Sequence, residues 1–433
     1  MNFSERIASI RAAMPKEGLF ADKEWLVSPE PFRISPGLHD ELQKLGYRLL
    51  LFQKACNRLY QQSVAGKQPP WVAEYLDRGK PAELIEFSRR KESRDDIPLV
   101  IRPDLVLTEE GFVISELDSV PGGIGLTAWL NQTYASFGED VIGGGRGMID
   151  GFVQMLGGEA DILISEESAT YRPEMGWLAK QTNGALQVIA DDGNPDLWKR
   201  QIFRFFELFD LENVRSAGEL MKRVEAGGQK VTPPFKPYLE EKLWFALFWM
   251  RPLREFWRRE LGERQWLKLQ EVIPYTWIVN PEPLPHFATI PQLDVQSWEE
   301  VGEFSQKQRD LILKISGFSE QSWGSRGVTL GSDISQSEWK NAVTEAISSF
   351  GHHPYILQRF HKARLVEQSY ADLQSGEVKL MKGRTRLCPY YFVNEEQANL
   401  CGALATVCPA DKKLLHGMRD AIMVPVAMEA AEP

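Results

Sequence analysis

The chain has 433 residues, which is more than one ordinary hydrophobic core holds and enough for two or three domains. With 43% hydrophobic and 25% charged residues, its composition is that of a globular protein and excludes a disordered or fibrous one. The formal net charge of −10 argues against a general nucleic-acid binder, because binding a phosphate backbone needs a basic face. A local basic pocket for a nucleotide is compatible with this charge.

The N-terminus and the cysteines bear on the cellular compartment. Residues 1–18 mix acids and bases and contain no apolar core, so they do not predict a signal peptide. No apolar run approaches the ~18 residues of a membrane span. The four cysteines form no CxxC pair, which argues against a zinc site or a disulfide scaffold. We therefore expect a cytoplasmic protein with reduced, mostly buried thiols and no membrane partner.

The first part of the chain, residues 1–97, has helical periodicity. Apolar residues recur at helical spacing over 37–61, and Pro36 comes just before this run. Shorter runs at 71–76 and 82–88 continue the pattern. Residues 1–97 are therefore predicted to be a helical N-terminal segment.

A β-hairpin is predicted next. Two apolar, β-rich runs, 105–107 and 112–115, flank a Thr-Glu-Glu-Gly turn. Asp104 precedes the first run, whereas Glu116 and Asp118 end the second. Because residues i and i+2 of a strand share a face, Glu116 and Asp118 point the same way, and the hairpin folds Asp104 back beside them.

Three carboxylates and Arg102 thus gather at one end of a β-ribbon. Such acids repel one another unless a cation lies among them, and Mg²⁺ prefers carboxylate oxygens shared with substrate phosphates. The pattern predicts a metal–phosphate site, and the alternative is a solvated hairpin with incidental charges. The glycine-rich loop 119–125 favours the first interpretation, since three glycines in four positions suit a close approach of backbone to a ligand.

The middle of the chain alternates strands and helices. Strands are predicted at 161–165 and 186–190, with helices at 172–182 and 216–227, which together indicate a small parallel α/β layer. No GxGxxG motif supports a dinucleotide site there. The glycine-rich stretch 143–147 lacks the Lys-Ser/Thr of a P-loop and is interpreted as a linker.

Two features separate this layer from the C-terminal part. Residues 239–261 are predicted to form one helix, whose aromatic stripe is typical of core packing. The proline-rich residues 281–291 indicate a boundary.

The C-terminal part carries a lysine, a glycine loop and a glutamine in that order. Lys314 lies in an apolar strand, where a lysine is costly unless it has a partner, so it either snorkels at the strand end or pairs with a ligand anion. The following polar loop contains Gly324, Arg326 and Gly327, and its backbone N–H groups are suited to cradling phosphates. Gln358 closes a later strand, where main-chain groups could read an adenine edge.

This order resembles the ATP-grasp fold, and specifically its glutathionylspermidine synthase-like, circularly permuted branch. Arg102-x-Asp104 followed by Glu116-x-Asp118 is similar to the R-x-D…E-x-N metal motif of that branch. Residues 233–249, with Lys242, resemble its proline–lysine–tryptophan block. Lys314 matches its second lysine, residues 323–328 match its glycine-rich lid, and residues 355–358 match its hinge. Arg386, rather than Arg384, matches its late arginine near the phosphates.

The resemblance implies an α/β (α+β) ATP-grasp fold with permuted motif order. Its implied parts are the helical segment 1–97, a metal-binding hairpin part at 98–155, a small Rossmann-like pre-ATP-grasp region with the aromatic helix at 156–280, and a lysine/glycine-loop part at 281–433. Two departures stand out. Asp118 occupies the place of an asparagine, and the loop after it differs from the Asp-Thr-Pro segment of true glutathionylspermidine synthases.

The implied activity is an ATP- and Mg²⁺-dependent ligase that joins a small-molecule carboxylate to an amine through an acyl-phosphate, with substrates undetermined. Arg102 and Arg386 would be catalytic. The implied metal ligands are Asp104, Glu116 and Asp118, and the implied ATP-binding residues are Lys242, Lys314, Gly324, Arg326, Gly327 and Gln358. A phosphotransferase with a hydroxyl acceptor and a non-catalytic nucleotide-binding protein stay open as alternatives.

Overall fold

A computed structural model describes residues 2–16, 24–191, 193–322, 326–372, 375–417 and 419–429. Its α-helices are α1 Phe3–Ala13, α2 Pro36–Val64, α3 Trp71–Asp77, α4 Ala82–Ser88, α5 Ile124–Ala135, α6 Gly147–Met155, α7 Arg172–Lys180, α8 Ala217–Glu225, α9 Leu243–Trp249, α10 Arg254–Leu261, α11 Glu263–Val272, α12 Trp298–Gly302 and α13 Gln336–Ser349. Its strands are β1 Phe32–Ile34, β2 Val100–Leu107, β3 Phe112–Asp118, β4 Ala160–Ile164, β5 Leu186–Ile189, β6 Gln201–Phe205, β7 Lys230–Thr232, β8 Thr276–Ile278, β9 Leu311–Ile315, β10 Val328–Leu330, β11 Tyr355–Arg359, β12 Leu365–Ala371, β13 Val378–Asn394, β14 Gln397–Pro409 and β15 Ile422–Met428. The predicted mixed α/β class is confirmed.

The chain divides into two compact units, each built from separated stretches of sequence. The first unit comprises Met1–Leu50, Ile97–Pro234 and Lys362–Pro433, and the second comprises Leu51–Asp96 and Phe235–His361. The aromatic region at 239–261 therefore belongs to the second unit, whereas the strands at 160–232 belong to the first.

The largest sheet of the first unit has seven strands. Its order is β1-β15-β14-β13-β2-β3, and β12 also pairs with β13. The predicted hairpin is confirmed as the antiparallel pair β2–β3. Ser115 is an extra residue in β3, because Asp104 lies opposite Glu116 whereas Leu105 lies opposite Ile114. Such a bulge re-aims the side chains on one side of it, here those at the end of the ribbon.

The second sheet of the first unit is parallel throughout. Its order is β5-β4-β6-β7, and each neighbouring pair runs in the same direction. Every residue of the central strand β4 is buried, as expected for a strand covered on both faces.

The second unit contains a four-stranded sheet in the order β10-β9-β11-β8. Alternate residues of its strands, such as Leu313, Leu357 and Trp277, pack with Trp339 and Val343 of α13 in one core cluster. Ser335 is the N-cap of α13 and forms a capping box with Glu338. Because side chains alternate in a strand, the residues between these core positions face the other side of the sheet.

The single helix predicted at 239–261 is wrong. The structure has a 3₁₀ turn at Pro237–Glu240, α9 at Leu243–Trp249, a second 3₁₀ turn at Arg251–Leu253, and then α10. Pro252 explains the break, because proline has no N–H to donate and its ring clashes with the preceding turn. Most of the aromatic stripe is buried as predicted, with Trp257 wholly inaccessible and Trp249 half-buried.

All four cysteines are free and buried, which confirms the expectation that the thiols are mostly buried. Among the described residues, no helix is both long enough and apolar enough to cross a membrane.

Candidate functional site

The first group of candidate site residues lies at the end of the β2–β3 hairpin. Arg102 is opposite Asp118, and Asp104 is opposite Glu116. Since directly opposed residues share a face and so do residues two apart, these four side chains all emerge on one face of the ribbon. The structure thus brings together the acids and the arginine as the sequence predicts.

Asp104 is the centre of this group, with a side chain only 5% exposed. One carboxylate oxygen, Oδ1, lies 3.1 Å from Arg102 Nε. The other, Oδ2, accepts a hydrogen bond from Arg386 Nη1 at 2.9 Å. Arg386 comes from β13, which pairs with β2 at this level. Two guanidinium groups therefore hold one buried carboxylate between them, a charge-assisted arrangement that fixes all three side chains.

Asp118 is anchored at both oxygens. Its Oδ2 accepts a hydrogen bond from Arg102 Nη2 at 2.9 Å, and its Oδ1 accepts one from the Val120 N–H at 2.9 Å. Burial raises the pKa of Asp118 above its usual value, and the neighbouring Glu116 adds to this effect, whereas Arg102 opposes it. The carboxylates of Glu116 and Asp118 are therefore close together in a buried environment at this end of the ribbon.

The donor set fits Mg²⁺ in type, because carboxylate oxygens on one face are what this ion prefers. The arrangement present is one of ion pairs, in which Asp104 and Asp118 turn oxygens towards Arg102 and Arg386. Over the described ranges, no group of three or more His, Cys, Asp or Glu side chains is positioned to ligate one metal ion. The metal-ligand role of Asp104, Glu116 and Asp118 therefore stays a prediction.

Two further residues of β13 join the cluster and were not predicted from sequence. The Cys388 thiol donates a hydrogen bond to Asp104 Oδ1 at 3.4 Å, and the Tyr390 hydroxyl donates one to the Gly122 carbonyl at 2.8 Å. Burial, with the negative charge of Asp104, raises the pKa of Cys388 to about 12, so the thiol stays protonated. Their spacing in the sequence could have predicted them, since Arg386, Cys388 and Tyr390 are two apart on one strand and share a face.

The glycine-rich loop after Asp118 closely approaches protein side chains. A Cβ at Gly122 would collide with the Tyr171 ring, and a Cβ at Gly125 would collide with Glu174. Gly125 N–H also donates to Glu174 Oε1 at 2.9 Å, and Arg102 Nη1 donates to the Gly122 carbonyl at 3.3 Å. The close approach that the structure shows is to the protein side chains of Tyr171 and Glu174, and an approach of this loop to a ligand stays a prediction.

The second group of candidate residues lies in the four-stranded sheet of the second unit. Lys314 Nζ donates to Gln358 Oε1 at 2.8 Å, and Gln358 Nε2 donates to Thr276 Oγ1 at 3.2 Å. The three residues are buried and come from β9, β11 and β8. The buried ammonium of Lys314 thus has the neutral amide of Gln358 as a partner within the sheet, and its pairing with a ligand anion stays a prediction.

Lys242 lies at the start of α9, where its N–H donates to the Ser316 carbonyl at 3.1 Å. Its ammonium donates to the Ser322 carbonyl at 2.7 Å, so it contacts the loop that follows β9. Its neighbour Glu241 forms a buried ion pair with Lys80 at 2.5 Å, with both side chains 1% exposed. Lys80 was not singled out from sequence, and no spacing pattern marked it.

The glycine loop is described only in part. Gly324 lies outside the described residues. Arg326 is exposed. Gly327 N–H donates to the Gln321 carbonyl at 2.8 Å, and its own carbonyl accepts from Ile315 N–H at 3.1 Å. Gly327, at the end of the loop, is therefore hydrogen-bonded to the last residue of β9, and the role of the loop as a lid stays a prediction.

Comparisons with known proteins give a likeness of fold. The sequence matches no model of a known protein family and no curated protein sequence. Its structure is similar to that of a glutathione synthetase-like effector from Globodera pallida, solved in its apo form, with a TM-score of 0.55 and 10% sequence identity over 98% of this chain and 97% of that one. A weaker likeness, at a TM-score of 0.42 and 13% identity over 93% of this chain and 91% of the other, is to a protein described as a candidate gamma-glutamylcysteine synthetase from Methylobacillus flagellatus KT. The chain thus has a glutathione synthetase-like fold, and at this identity the likeness concerns the fold alone.

Proposed function

We propose that this protein is an ATP- and Mg²⁺-dependent carboxylate–amine ligase with a permuted ATP-grasp fold of the glutathionylspermidine synthase-like kind. The observation that carries the proposal is the buried cluster in which Arg102 and Arg386 hold Asp104. Two fixed cations at one ribbon end are suited to an anion that gains charge as it reacts. The glutathione synthetase-like fold supports the same class of protein.

Arg102 and Arg386 would stabilise the charge that develops on the transferring phosphoryl group. Although burial lowers the pKa of Arg102, Asp104 and Asp118 outweigh this and raise its pKa overall, so the group stays cationic. The same balance, with Asp104 as the main partner, raises the pKa of Arg386. Asp104 orients both groups before substrate arrives, and such preorganisation is the main source of electrostatic catalysis.

Lys314 and Gln358 would hold the nucleotide from their sheet, since they present a cation and an amide side by side. Lys242 and Arg326 would add charge for the phosphates, and backbone N–H groups of the loop with Gly324 and Gly327 would cradle them. The resemblance supports all of these roles, and the neighbouring sheet positions of Lys314 and Gln358 support theirs.

Asp104, Glu116 and Asp118 would hold Mg²⁺, which when bound neutralises phosphate charge. Asp118 carries a full negative charge where the related motif has a neutral amide. Arg102 lies 2.9 Å from it and offsets that charge, which gives a physical reason why an aspartate is tolerated here.

The substrates would be a small-molecule carboxylate and an amine. One carboxylate oxygen attacks the γ-phosphorus and ADP leaves, which gives an acyl-phosphate. The amine nitrogen then bonds to the acyl carbon, phosphate leaves with that oxygen, and the nitrogen loses a proton. The role of this chain is to bind, orient and stabilise charge, and the scheme requires no covalent enzyme intermediate.

A second candidate is a nucleotide-binding protein without catalysis. The observation in its favour is that each oxygen of Asp104 forms an ion pair with an arginine, while Asp118 accepts from Arg102 and a backbone N–H. A cluster saturated by ion pairs is stable without a metal, so the arrangement also suits a purely structural role.

Incubation with ATP, Mg²⁺ and pools of small acids, amino acids and polyamines distinguishes these candidates. Phosphate release that requires both an acid and an amine supports the ligase. A phosphorylated hydroxyl compound would instead indicate a phosphotransferase. ATP binding with no turnover in any pool would support the non-catalytic candidate, and absence of ATP binding would contradict all three.

A further inference from the structure

A buried carboxylate, that of Glu241, joins three separate stretches of the second unit. One of its oxygens, Oε1, lies 2.5 Å from Lys80 Nζ, and both side chains are 1% exposed. The other, Oε2, accepts a hydrogen bond from the Ser316 hydroxyl, which is also buried. Lys80 lies between α3 and α4, Glu241 lies just before α9, and Ser316 follows β9. Because both oxygens are satisfied away from water, the carboxylate holds these three backbones in place.

Ser316 is also connected to the start of α9 by further hydrogen bonds. Its carbonyl accepts from Lys242 N–H at 3.1 Å, and its hydroxyl accepts from Leu243 N–H at 2.9 Å. Its own N–H donates to the Pro354 carbonyl at 2.9 Å. A serine hydroxyl can donate and accept at the same time, and this one does both. Ser316 therefore ties the end of β9 to the first turn of α9.

The same groups contact the first residues of the loop that follows β9, which begins at Ser316. A Cβ at Gly317 would lie 2.9 Å from Glu241 Cδ, so a larger residue there would press on the carboxylate. Phe318 has a φ of +47°, and Lys80 Nζ lies 5.7 Å from the centre of its ring. A bulky residue at positive φ persists only where its surroundings hold it. Lys80 and Glu241 therefore contact the first three residues of the loop.

Lys242 connects this group with a later part of the same loop. Its ammonium donates to the Ser322 carbonyl at 2.7 Å. The Ser322 N–H and hydroxyl both donate to the Ser319 carbonyl, at 2.9 and 2.6 Å, which closes a short turn. Because Lys242 directly follows Glu241 in sequence, the backbone that carries this ammonium is the one that the buried carboxylate holds.

We propose that Ser316 and the Lys80–Glu241 pair are positioning residues, which set Lys242 and the loop after β9 for the phosphates of ATP. They act through Lys242 and the loop and do not touch the nucleotide themselves. An ammonium and a loop that are already in place lose less conformational entropy when they bind a phosphate, so their preorganisation adds affinity. The inference rests on the proposed function, because it concerns the same nucleotide.

The first test measures amide hydrogen exchange in the full-length protein without nucleotide. Exchange in peptides that cover residues 317–322 is expected to be about tenfold faster in Ser316→Ala than in the wild type, because a lost hydrogen bond to a buried carboxylate favours local opening. Ser63→Ala is the matched control. The buried Ser63 hydroxyl donates to the Pro69 carbonyl at 2.6 Å and accepts from Ala73 N–H at 3.1 Å, away from the loop in sequence. Its loss should leave exchange in the loop unchanged.

The second test measures ATP binding by isothermal titration calorimetry. Ser316→Ala is expected to weaken binding about tenfold, whereas Ser63→Ala should leave it unchanged. In a Lys242→Met background, Ser316→Ala should weaken binding much less, since the two residues act on the same phosphates and their effects do not add. Ser316→Cys retains a weak donor and nearly the same size, and it should weaken binding in the same direction. Circular dichroism checks that each variant is folded.

The outcomes separate this inference from the proposed function. If the wild type binds ATP and neither folded Ser316 variant weakens binding, the positioning role is wrong and the nucleotide site stands. Equal effects of Ser316→Ala and Ser63→Ala would show a general loss of stability and would also overturn the role. If the wild type does not bind ATP, the proposed function fails and the role towards phosphates fails with it, while faster exchange in Ser316→Ala would still show that Ser316 holds the loop.

Discussion

Arg386 Nη1 lies 2.9 Å from Asp104 Oδ2, although the two residues are 282 positions apart in sequence. The pairing of β13 with β2 makes this contact, because Arg386 lies opposite Val106 on the neighbouring strand. Arg102 contacts the other oxygen of the same carboxylate. Arg386 and Asp104 thus form one ion-paired unit, and a proposed function has to include both residues.

The first prediction concerns that pair. Arg386→Met should lower turnover by about 10²–10³, since removal of one preorganised donor has an effect of this size. Arg384→Met is the matched control, because Arg384 is two residues away and donates to the carbonyls of Ala410 and Ala363 instead. Steady-state phosphate release by the two variants is the measurement. Equal loss in both variants would contradict the choice of Arg386.

The second prediction separates two of the three acids, Glu116 and Asp118. Glu116→Gln should abolish Mg²⁺-dependent ATP turnover, because it removes a charge from the proposed ligand set. Asp118→Asn should keep turnover, since the amide retains an oxygen donor, and should shift the Mg²⁺ concentration that gives half-maximal rate. Mg²⁺ titrations of each variant measure this. Unchanged turnover in Glu116→Gln would refute the metal assignment.

The third prediction concerns the buried Lys80–Glu241 pair. Lys80→Met should destabilise the protein by about 3–5 kcal/mol, because it leaves a buried carboxylate without its cation. The double variant Lys80→Met/Glu241→Leu should lose less than the sum of the single changes, since no unpaired charge remains. Urea unfolding followed by tryptophan fluorescence provides the comparison. Additive losses would show that the two charges do not interact.

The fourth prediction concerns pH and Lys236. Its ammonium donates to Asn57 Oδ1, the Arg94 carbonyl and the Asp96 carbonyl, at 3.1, 2.9 and 2.7 Å. Burial lowers the pKa of Lys236 to about 8. An unfolded lysine titrates near ~10.4, so between these two pKa values the unfolded chain binds more protons than the folded one. Stability should therefore rise with pH across this window, by about 2–3 kcal/mol in total.

Lys236→Met provides the control for this pH effect. The free energy of unfolding, measured from pH 7.5 to 10.5, should rise more steeply for the wild-type chain than for the variant. The difference between the two curves isolates Lys236 from tyrosines and other groups that titrate in the same range. Parallel curves would show that the pKa of Lys236 is not lowered by folding.

Local patterns made the hairpin predictable. Alternation and turn composition locate β2 and β3, and the spacing of Glu116 and Asp118 gives their shared face. These local patterns do not predict the bulge at Ser115 or the strand that pairs with β2. The neighbour of β2 is the distant strand β13, and strand pairing over hundreds of residues leaves no mark in a local window.

The four-stranded sheet that contains Lys314 was likewise predictable only in part. Lys314 in an apolar strand indicates a partner, but the identity of Gln358 Oε1 as that partner requires the register of β9 against β11. Cys388 and Tyr390 were missed although they share a face with Arg386, because apolar and aromatic residues in a strand ordinarily indicate core packing. The broken aromatic helix was an avoidable error, since Pro252 lies inside the predicted span.

The most direct test of the ligase proposal follows oxygen from the acid to the phosphate. The protein is incubated with ATP, Mg²⁺, an amine pool and small acids whose carboxylates carry ¹⁸O, and the released phosphate is analysed by mass spectrometry. Attack of a carboxylate oxygen on the γ-phosphorus, followed by amine displacement, predicts inorganic phosphate that carries one ¹⁸O from the acid. Phosphate released without label, despite amine-dependent turnover, would contradict an acyl-phosphate and with it the central claim.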